Sequence, residues 1–396
     1  MTGPEDKTEY VVTLGDHIFS QYSLVGRRTT VYEGTSPAEE GIFVVKISQQ
    51  YVGRTSEVDL VKRAKKYGVT NLVNIRKSKD LWKLSDGIRK AFDLPTGDDD
   101  RVMRCIVMDN YARLSEQLAR DPDSIQIMVP QMIDCVDFLR YKAKILHRDI
   151  SDSNIMYEPR SGQDWFVLID FDLAVRVDKK GKPLGPTSRH RTGTLPFMAV
   201  DVIEDMHLVA TEADYKPIVH CVRHDFESLL WVCLYFGIKT LSPNTPNRKV
   251  EEEKRRKYLA KWETGDCDDI HATKLKVFRQ AKSTNKIPLS NHFEHLRPWF
   301  GAFLSCFRSG YQEFDEQSEL GGDHEQSEQR PPRFELIETW FGHVTREKML
   351  EAFDNLKLQE AASASTSVSA SASESKPKPE SEPESESDAS SIASDD

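Results

Sequence analysis

No stretch of this sequence stays apolar for the roughly 20 residues that a membrane-spanning helix needs. The N-terminus, MTGPEDKTEY, has no apolar signal core. None of the six cysteines (Cys105, Cys135, Cys221, Cys233, Cys267, Cys306) forms a Cys-x-x-Cys pair, and no Cys/His cluster has zinc spacing. Several stand among apolar residues, as buried free thiols do, which suits a reducing compartment. A soluble, intracellular protein of the cytoplasm, the nucleus or both is expected. An excess of positive charge is missing as well. The formal net charge of −10 at pH 7 argues against a general nucleic-acid binder. No internal repeat of 20–50 residues is visible.

What is present is enough for a sizeable core, but not for all 396 residues, since hydrophobic residues make up 38%. Residues 9 to 47 alternate short apolar runs with turn signals, which predicts strands. In Thr55 to Gly68, Val58, Val61 and Ala64 recur at helical spacing and Gly68 is a natural stop. Arg101 to Asp109 reads as a buried strand after a PTGDDD loop. From Ser124 the pattern turns helical, with Met128, Met132, Val136 and Leu139 on one face. Phe226 to Ile238 is apolar on nearly all sides, as a helix at the centre of a helical lobe would be. Strands first and helices later predict an α+β fold: a small β-rich lobe over 1–109 and a larger α-helical lobe over 110–358. Gln312 to Pro332, polar and acidic, predicts an exposed loop. Residues 359–396 predict a disordered acidic tail: from Ala361 on they are almost wholly Ser, Ala, Glu, Asp, Pro and Lys, and cannot bury enough apolar surface to offset their ordering entropy.

The densest chemistry lies between 147 and 172. His147-Arg148-Asp149 is followed five residues later by Asn154, and then by Ile169-Asp170-Phe171, in the stretches HRDISDSNIM and FVLIDFDLA. This is the spacing of a protein-kinase catalytic loop and the metal-binding turn after it. Two oxygen ligands and one base must meet around a nucleoside triphosphate. Asp149 would take the substrate hydroxyl proton, and Asn154 and Asp170 would hold magnesium. Together with Gly193-Thr194-Leu195-Pro196-Phe197-Met198-Ala199 and His224-Asp225-Phe226-Glu227-Ser228-Leu229, these stretches resemble the fungal-type protein kinase family over roughly residues 15 to 310. The resemblance implies a two-lobed protein-kinase-like fold and ATP-dependent transfer to protein hydroxyls, serine or threonine first. It implies ATP with Mg²⁺, or Mn²⁺ in its place. It calls for no nucleic acid and no membrane, and gives neither the protein substrate nor the oligomeric state.

The resemblance assigns further positions. Lys46, in Phe43-Val44-Val45-Lys46, stands where the strand lysine grips the α- and β-phosphates, and Glu57, early on the next helix, is its expected partner; a solvated surface pair is the plainer alternative. The phosphate-covering loop, Ser23 to Val31, keeps one glycine, Gly26, of Gly-x-Gly-x-x-Gly. Arg27 or Arg28 either replaces part of that contact with charge-assisted bonds or faces solvent, and Gly26 and Arg28 are the nucleotide-binding candidates. Asp172 stands where protein kinases have glycine. Small-molecule kinases such as choline kinases also have an acid there, so it is either a metal contact or an ordinary capping turn. Ser151 stands where serine/threonine kinases usually have lysine, so one cation near the transferring phosphate is missing.

Asp170 to about Asp201 fits an activation segment. Thr194 would rest against Asp149, and Met198-Ala199-Val200-Asp201 replaces Met-Ala-Pro-Glu. Thr187, Ser188 and Thr192 are candidate phosphorylation sites that Arg148 would pair with, unless the segment is constitutive. Asp225 would hydrogen-bond the catalytic-loop backbone. Lys254-Arg255-Arg256-Lys257 is either a nuclear-import signal or, after Glu251-Glu252-Glu253, a solvated helix face. His292 and His295 have no role in this scheme. Two rival functions stand beside the kinase reading. A small-molecule kinase is disfavoured by the Gly193–Ala199 segment. A non-catalytic kinase-like module is favoured by the sparse glycines and disfavoured by an intact Lys46, Asp149, Asn154 and Asp170.

Overall fold

The period-two pattern of the first fifty residues becomes an antiparallel meander: β1 (Thr13–Ser20), β2 (Thr30–Ser36) and β3 (Glu39–Tyr51). The computed structural model describes residues 10–21, 26–95, 97, 100–184, 193–215, 217–279, 284–320 and 334–373. Helix α1 (Glu57–Lys66) follows β3, then β4 (Ile75–Lys83) and β5 (Arg101–Asp109), which complete a five-stranded sheet in the order β1-β2-β3-β5-β4. One face of β3 packs Phe43 and Val45 with Val107 in an apolar cluster. The other face carries Lys46, Ser48 and Gln50 at a spacing of two, and all three are buried. A polar stripe turned inward marks the face that looks onto the site. Gly34 on β2 is needed for close approach, because a Cβ there would lie 2.6 Å from the Val45 side chain. Ser56 caps α1 by accepting from the Asp59 amide at 3.1 Å, and Val58, Leu60, Val61 and Ala64 are its buried side.

The rest of the chain is mainly helical. β6 (Ala112–Arg113), α2 (Leu114–Arg120) and α3 (Ser124–Phe138) lead to β7 (Ile145–Leu146), and then to the hairpin of β8 (Ile155–Arg160) and β9 (Gln163–Leu168). β10 (Val175–Arg176) pairs with β7, and β6 joins the β8–β9 hairpin. The loop 147–154 and the turn 169–174 are therefore hung side by side between paired strands. α4 (Val200–Thr211), α5 (Val222–Lys239), α6 (Arg248–Glu263), α7 (Cys267–Arg279) and α8 (Arg297–Leu320) follow. α5 is buried from Val222 to Ile238, and its Trp231 contacts Trp262 and Phe278 with ring centroids 5.3 and 5.1 Å apart. The sheet-first, helices-later order is the α+β, kinase-like architecture expected.

Two expectations are corrected. The exposed loop placed at 312–332 is helical up to Leu320, because the aromatic stripe of Phe303, Phe307, Tyr311 and Phe314 continues at helical spacing; Tyr311 and Phe314 meet Trp340 at 4.6 and 4.9 Å. Residues 321–333 lie outside those described. α9 (Phe334–Glu338) then leads to α10 (Arg346–Ser373), which runs through the first fifteen residues of the tail expected to be disordered from 359. Low apolar content excludes burial, not helix. Alanine is the best helix former, and a helix already nucleated at Arg346 propagates through AASAS at little cost. Residues 374–396 lie outside those described. The chain divides into two units after Phe353.

Lys254, Arg256 and Lys257 make exposed i,i+3 and i,i+4 pairs with Glu251 and Glu253, a solvated helix face, whereas Arg255 turns inward to the carbonyls of Ile238 and Pro288. All six cysteines are free, and among the described residues no helix is long and apolar enough to cross a membrane.

The first turns of α10 are held by Phe353, which is buried and stacks on Trp299 at 5.0 Å and meets Phe303 at 5.4 Å. Phe353→Ala is expected to destabilise the protein by about 3–5 kcal/mol in urea unfolding, as large aromatic truncations in cores do; a loss well under about 1 kcal/mol would show that these turns do not hold the helical core together.

Candidate active site

The site begins with a cation that cannot be left alone. Lys46 is buried, and its Nζ lies 2.8 Å from Glu57 Oε2, 3.0 Å from Asp170 Oδ1 and 3.0 Å from Asp172 Oδ2. Burial would lower its pKa, but Asp170, Asp172 and Glu57 outweigh that and raise it well above the usual lysine value. The same balance splits the acids. Burial pushes Glu57 up, to about 7, helped by Asp172 and Asp170 and opposed by Lys46. Burial acts on Asp170 in the same direction, but Lys46 and Arg27 overcome it and hold the carboxyl at about 2. Glu57 also accepts the Phe171 amide at 3.0 Å through its second oxygen. One side chain of α1 thus fixes both the strand lysine and the turn. Asp170 itself sits at φ 59°, a left-handed conformation that Asp tolerates better than most residues, and accepts the Asp172 amide at 3.2 Å.

Asp172 is neither a solvated cap nor an isolated metal contact. Its side chain is 1% exposed, and it accepts from Gln50 Nε2 at 2.6 Å while facing Lys46 and, at 3.4 Å, Arg27 Nη1. Gln50 in turn accepts from Arg104 at 2.5 Å, and Arg104 is bidentate on Asp80 at 2.6 and 3.0 Å. A chain of polar contacts therefore ties the turn to the inner stripe of β3 and across β5 to β4. Position 172 differs from a kinase glycine in sequence, but only the fold shows which strand receives its carboxylate.

The catalytic-loop candidates hang from a second buried acid. Asp225, at the start of α5, accepts the amides of His147 and Arg148, each at 2.9 Å, and a His220 contact at 3.0 Å. Burial opposes its charge, but His220, His147 and these bonds keep its pKa below the usual value. His147 Nε2 bonds the Ile169 carbonyl at 3.1 Å, and its ring meets Phe171 edge-on at 4.8 Å, so loop and turn are cross-linked. Asp149 receives three groups: the Thr194 amide and hydroxyl, both at 2.9 Å on Oδ1, and Asn154 Nδ2 at 3.1 Å on Oδ2. Burial and the nearby Asp170 raise its pKa, and the Thr194 bonds partly offset them. Asn154 spends its amide nitrogen on Asp149, at the carboxylate and at the backbone carbonyl 2.9 Å away. Its amide oxygen is then the atom a cation would meet. With Asp170 it forms a hard-oxygen donor pair of the kind magnesium takes.

The far end of the segment is anchored by Asp201, which is paired with Arg223 and bonded to His224 Nε2 at 3.1 Å; burial would raise its pKa, but the Arg223 guanidinium and the bonds from Arg223 and His224 hold it well below the usual range. Beneath it, Glu227 accepts the Val200 amide at 2.8 Å, and buried Lys274 donates to the Met198 carbonyl at 2.6 Å. Thr187, Ser188 and Thr192 lie outside the described residues. Arg148 holds φ at 70°.

Of the positions expected to contact nucleotide, Lys46 and Glu57 are brought together with Asp170, while Gly26 gives its carbonyl to Arg101 at 2.8 Å. Arg27 is the arginine whose guanidinium reaches the acidic cluster; Arg28 takes up a left-handed φ of 47° beside it. Asp172, Gln50 and Arg27 are the site residues sequence reasoning missed or left undecided. The period-two polar stripe Lys46-Ser48-Gln50 was the available signal. His292 bonds the Leu118 carbonyl and His295 bonds Asp123, neither partner a member of this cluster.

Residues 2–97 and 76–236 match the profile of the fungal protein kinase family. The calcium/calmodulin-dependent protein kinase type II of Schizosaccharomyces pombe is 27% identical over 161 residues, which is 39% of this chain and 27% of that protein. The chain thus spans about a quarter of that relative's length.

Asp225 yields a pH test. Its carboxyl is held below its unfolded value of about 3.9, so its contribution is complete above that pH and is lost as pH falls through the folded value. Asp225→Asn is expected to cost about 2–4 kcal/mol between pH 5 and 8, since one of two buried amides loses its charged acceptor. The gap to wild type, followed by thermal unfolding, should narrow below about pH 4; a gap that widens there would refute the assignment.

Proposed function

The chain belongs to the fungal protein kinase family, and from that premise we propose that it transfers the γ-phosphoryl group of ATP to serine or threonine hydroxyls of a protein, with magnesium. The observation that carries this reading is one convergence: Lys46 within hydrogen-bond distance of both Glu57 and Asp170, beside a loop in which Asn154 and Thr194 bond Asp149. Six residues from five separate stretches of sequence meet in an arrangement suited to phosphoryl transfer.

In this mechanism Lys46, held by Glu57, steadies the inner phosphates. Asp149 accepts the proton of the substrate hydroxyl as its oxygen bonds to the γ-phosphorus and the bond to the β–γ bridging oxygen breaks, releasing ADP. Thr194 and Asn154 fix the carboxylate so that one oxygen faces the hydroxyl. Asp170 and Asn154 would hold magnesium, which would supply neutralisation of phosphate charge. Little covalent work falls to the protein; positioning and electrostatic stabilisation carry most of the rate. The substrate is proposed to be a protein because Thr194 bonds Asp149 and residues 193–196 stay half-buried beside it, where a polypeptide could be received. The feature that spoke for a small-molecule kinase, an acid at 172 on a metal, is accounted for by the bonds of Asp172 to Gln50 and Lys46.

Asp149→Asn is expected to lower phosphoryl transfer to itself and to a generic substrate by about 10³-fold or more, in the range of a lost base, while ATP affinity by calorimetry stays within about threefold. Asp170→Ala is expected to remove the extra thermal stabilisation that ATP gives with Mg²⁺ over ATP with EDTA. Equal turnover in Asp149→Asn and wild type, or equal stabilisation with and without Mg²⁺ in wild type, would sink this reading.

A further inference from the structure

A triphosphate is a tetra-anion, and this site is already acidic. Glu57, Asp149, Asp170 and Asp172 crowd together, and Lys46 is committed to three of them. Its side chain is 6% exposed, so it can serve phosphates only at the inner wall. The catalytic loop offers a serine hydroxyl, Ser151, and no cation at that position. A charge to meet the outermost phosphate must come from the opposite side.

Arg27 is placed to supply it. Its backbone is pinned: the Gln49 amide donates to the Arg27 carbonyl at 2.6 Å, and Arg101 donates to the adjoining Gly26 carbonyl at 2.8 Å. The side chain extends from the loop between β1 and β2 to within 3.4 Å of Asp172, and it is 26% exposed, unlike Lys46. It senses all four carboxylates, Asp172 first, then Asp170, Asp149 and Glu57, and they raise its pKa against the opposing effect of burial. A guanidinium 3.4 Å from Asp172 is near enough to Asp170 and Asp149 to feel their charge, and so borders the cluster where the transferring group would pass.

A second cation stands beside it. Arg54 precedes α1, and burial together with Arg27 pushes its guanidinium below the usual value. Its Nη2 is buried and has no hydrogen-bond partner among the described residues. Two mutually repelling guanidinium groups, one with an orphaned N–H, describe a place for an anion.

Taking the phosphotransferase reading as its basis, we infer that Arg27 binds the γ-phosphate of ATP from the covering loop, doing with a planar guanidinium what a glycine-rich loop does with backbone amides, and that Asp172 holds it in place between turnovers. In the transition state the charge spread over the three equatorial oxygens of the transferring group is met by Arg27 from above.

ATP and ADP differ by the phosphate in question, so the two nucleotides are the test. Binding of Mg·ATP and Mg·ADP to full-length wild type, Arg27→Ala and Arg27→Lys would be measured by calorimetry, with single-turnover transfer to a generic protein substrate. Arg27→Ala is expected to weaken Mg·ATP about tenfold or more, as the loss of a charge-assisted bond does, and to leave Mg·ADP within about twofold. The transfer rate should fall about 10²-fold or more, and Arg27→Lys should recover part of both losses because the charge remains without the planar fork. Asp172 keeps Lys46 and Gln50 in Arg27→Ala, so the nucleotide-free melting temperature should change little. Equal weakening of ATP and ADP in both variants, or no weakening of either, would overturn the inference while leaving the kinase reading standing. If wild type binds neither nucleotide, the kinase reading falls, and the inference with it.

Discussion

A buried ammonium surrounded by carboxylates is the constraint from which the active site is built. Lys46 could not remain charged inside the fold without Glu57, Asp170 and Asp172, and its ammonium in turn favours the charged forms of Glu57 and Asp170. The four come from β3, from the first turn of α1 and from the turn after β9. Satisfying one charge therefore joins the sheet, the helix beside it and the turn after β9. Removing any one partner strands a buried charge, which costs far more than the pair itself contributes. A cluster of this kind is weak as a source of net stability and strong as a determinant of geometry.

The catalytic loop is fixed by a different means. Its backbone amides at 147 and 148 point into the helical region, and a single carboxylate on the most buried helix accepts both. Asp149 is in turn oriented by a hydroxyl, a backbone amide and a side-chain amide, none of which carries a charge. The division is physically sensible. Charges pin the cations and the turn, while neutral donors aim the residue proposed as base, and burial with Asp170 outweighs their lowering of its proton affinity. The activation-segment end uses charge again: Asp201, shorter than the usual glutamate, is gripped by Arg223 and hydrogen-bonded by His224, the two residues of the first turn of α5 immediately before Asp225. The same turn of one helix thus supports both the catalytic loop and the segment that rests on it.

Legibility followed the range of the interactions. The strand–helix–strand order, the boundaries of β5 and the apolar helix around Trp231 were visible because burial imposes a short period on neighbouring residues. The two misplaced segments, 312–320 and 359–373, were judged by polarity. Helix formation there depends on aromatic contacts to distant residues in the first case and on propagation from an anchored turn in the second. In the site, the neighbourhood of His147, Asp149, Asn154 and Asp170 was legible because it depends on spacing within one stretch. Asp172 was visible as a departure, but not what it meets, since Gln50 and Lys46 lie more than 120 residues away in sequence. Arg27 and Arg28 were indistinguishable as letters; the left-handed backbone at Arg28 and the ladder bond at Arg27 separate them.

By itself, then, the sequence determined the order of strands and helices, the family resemblance and the identities of the groups able to bind metal or accept a proton. These depend on local periodicity and on residue type at fixed intervals, which survive in one dimension. The tertiary structure alone decided which acids share Lys46, which arginine reaches them, and that Asp172 is bound to the sheet instead of standing in solvent. Those outcomes come from desolvation and Coulomb energy between groups that the chain brings together only on folding, and no spacing in the sequence encodes the distance between them.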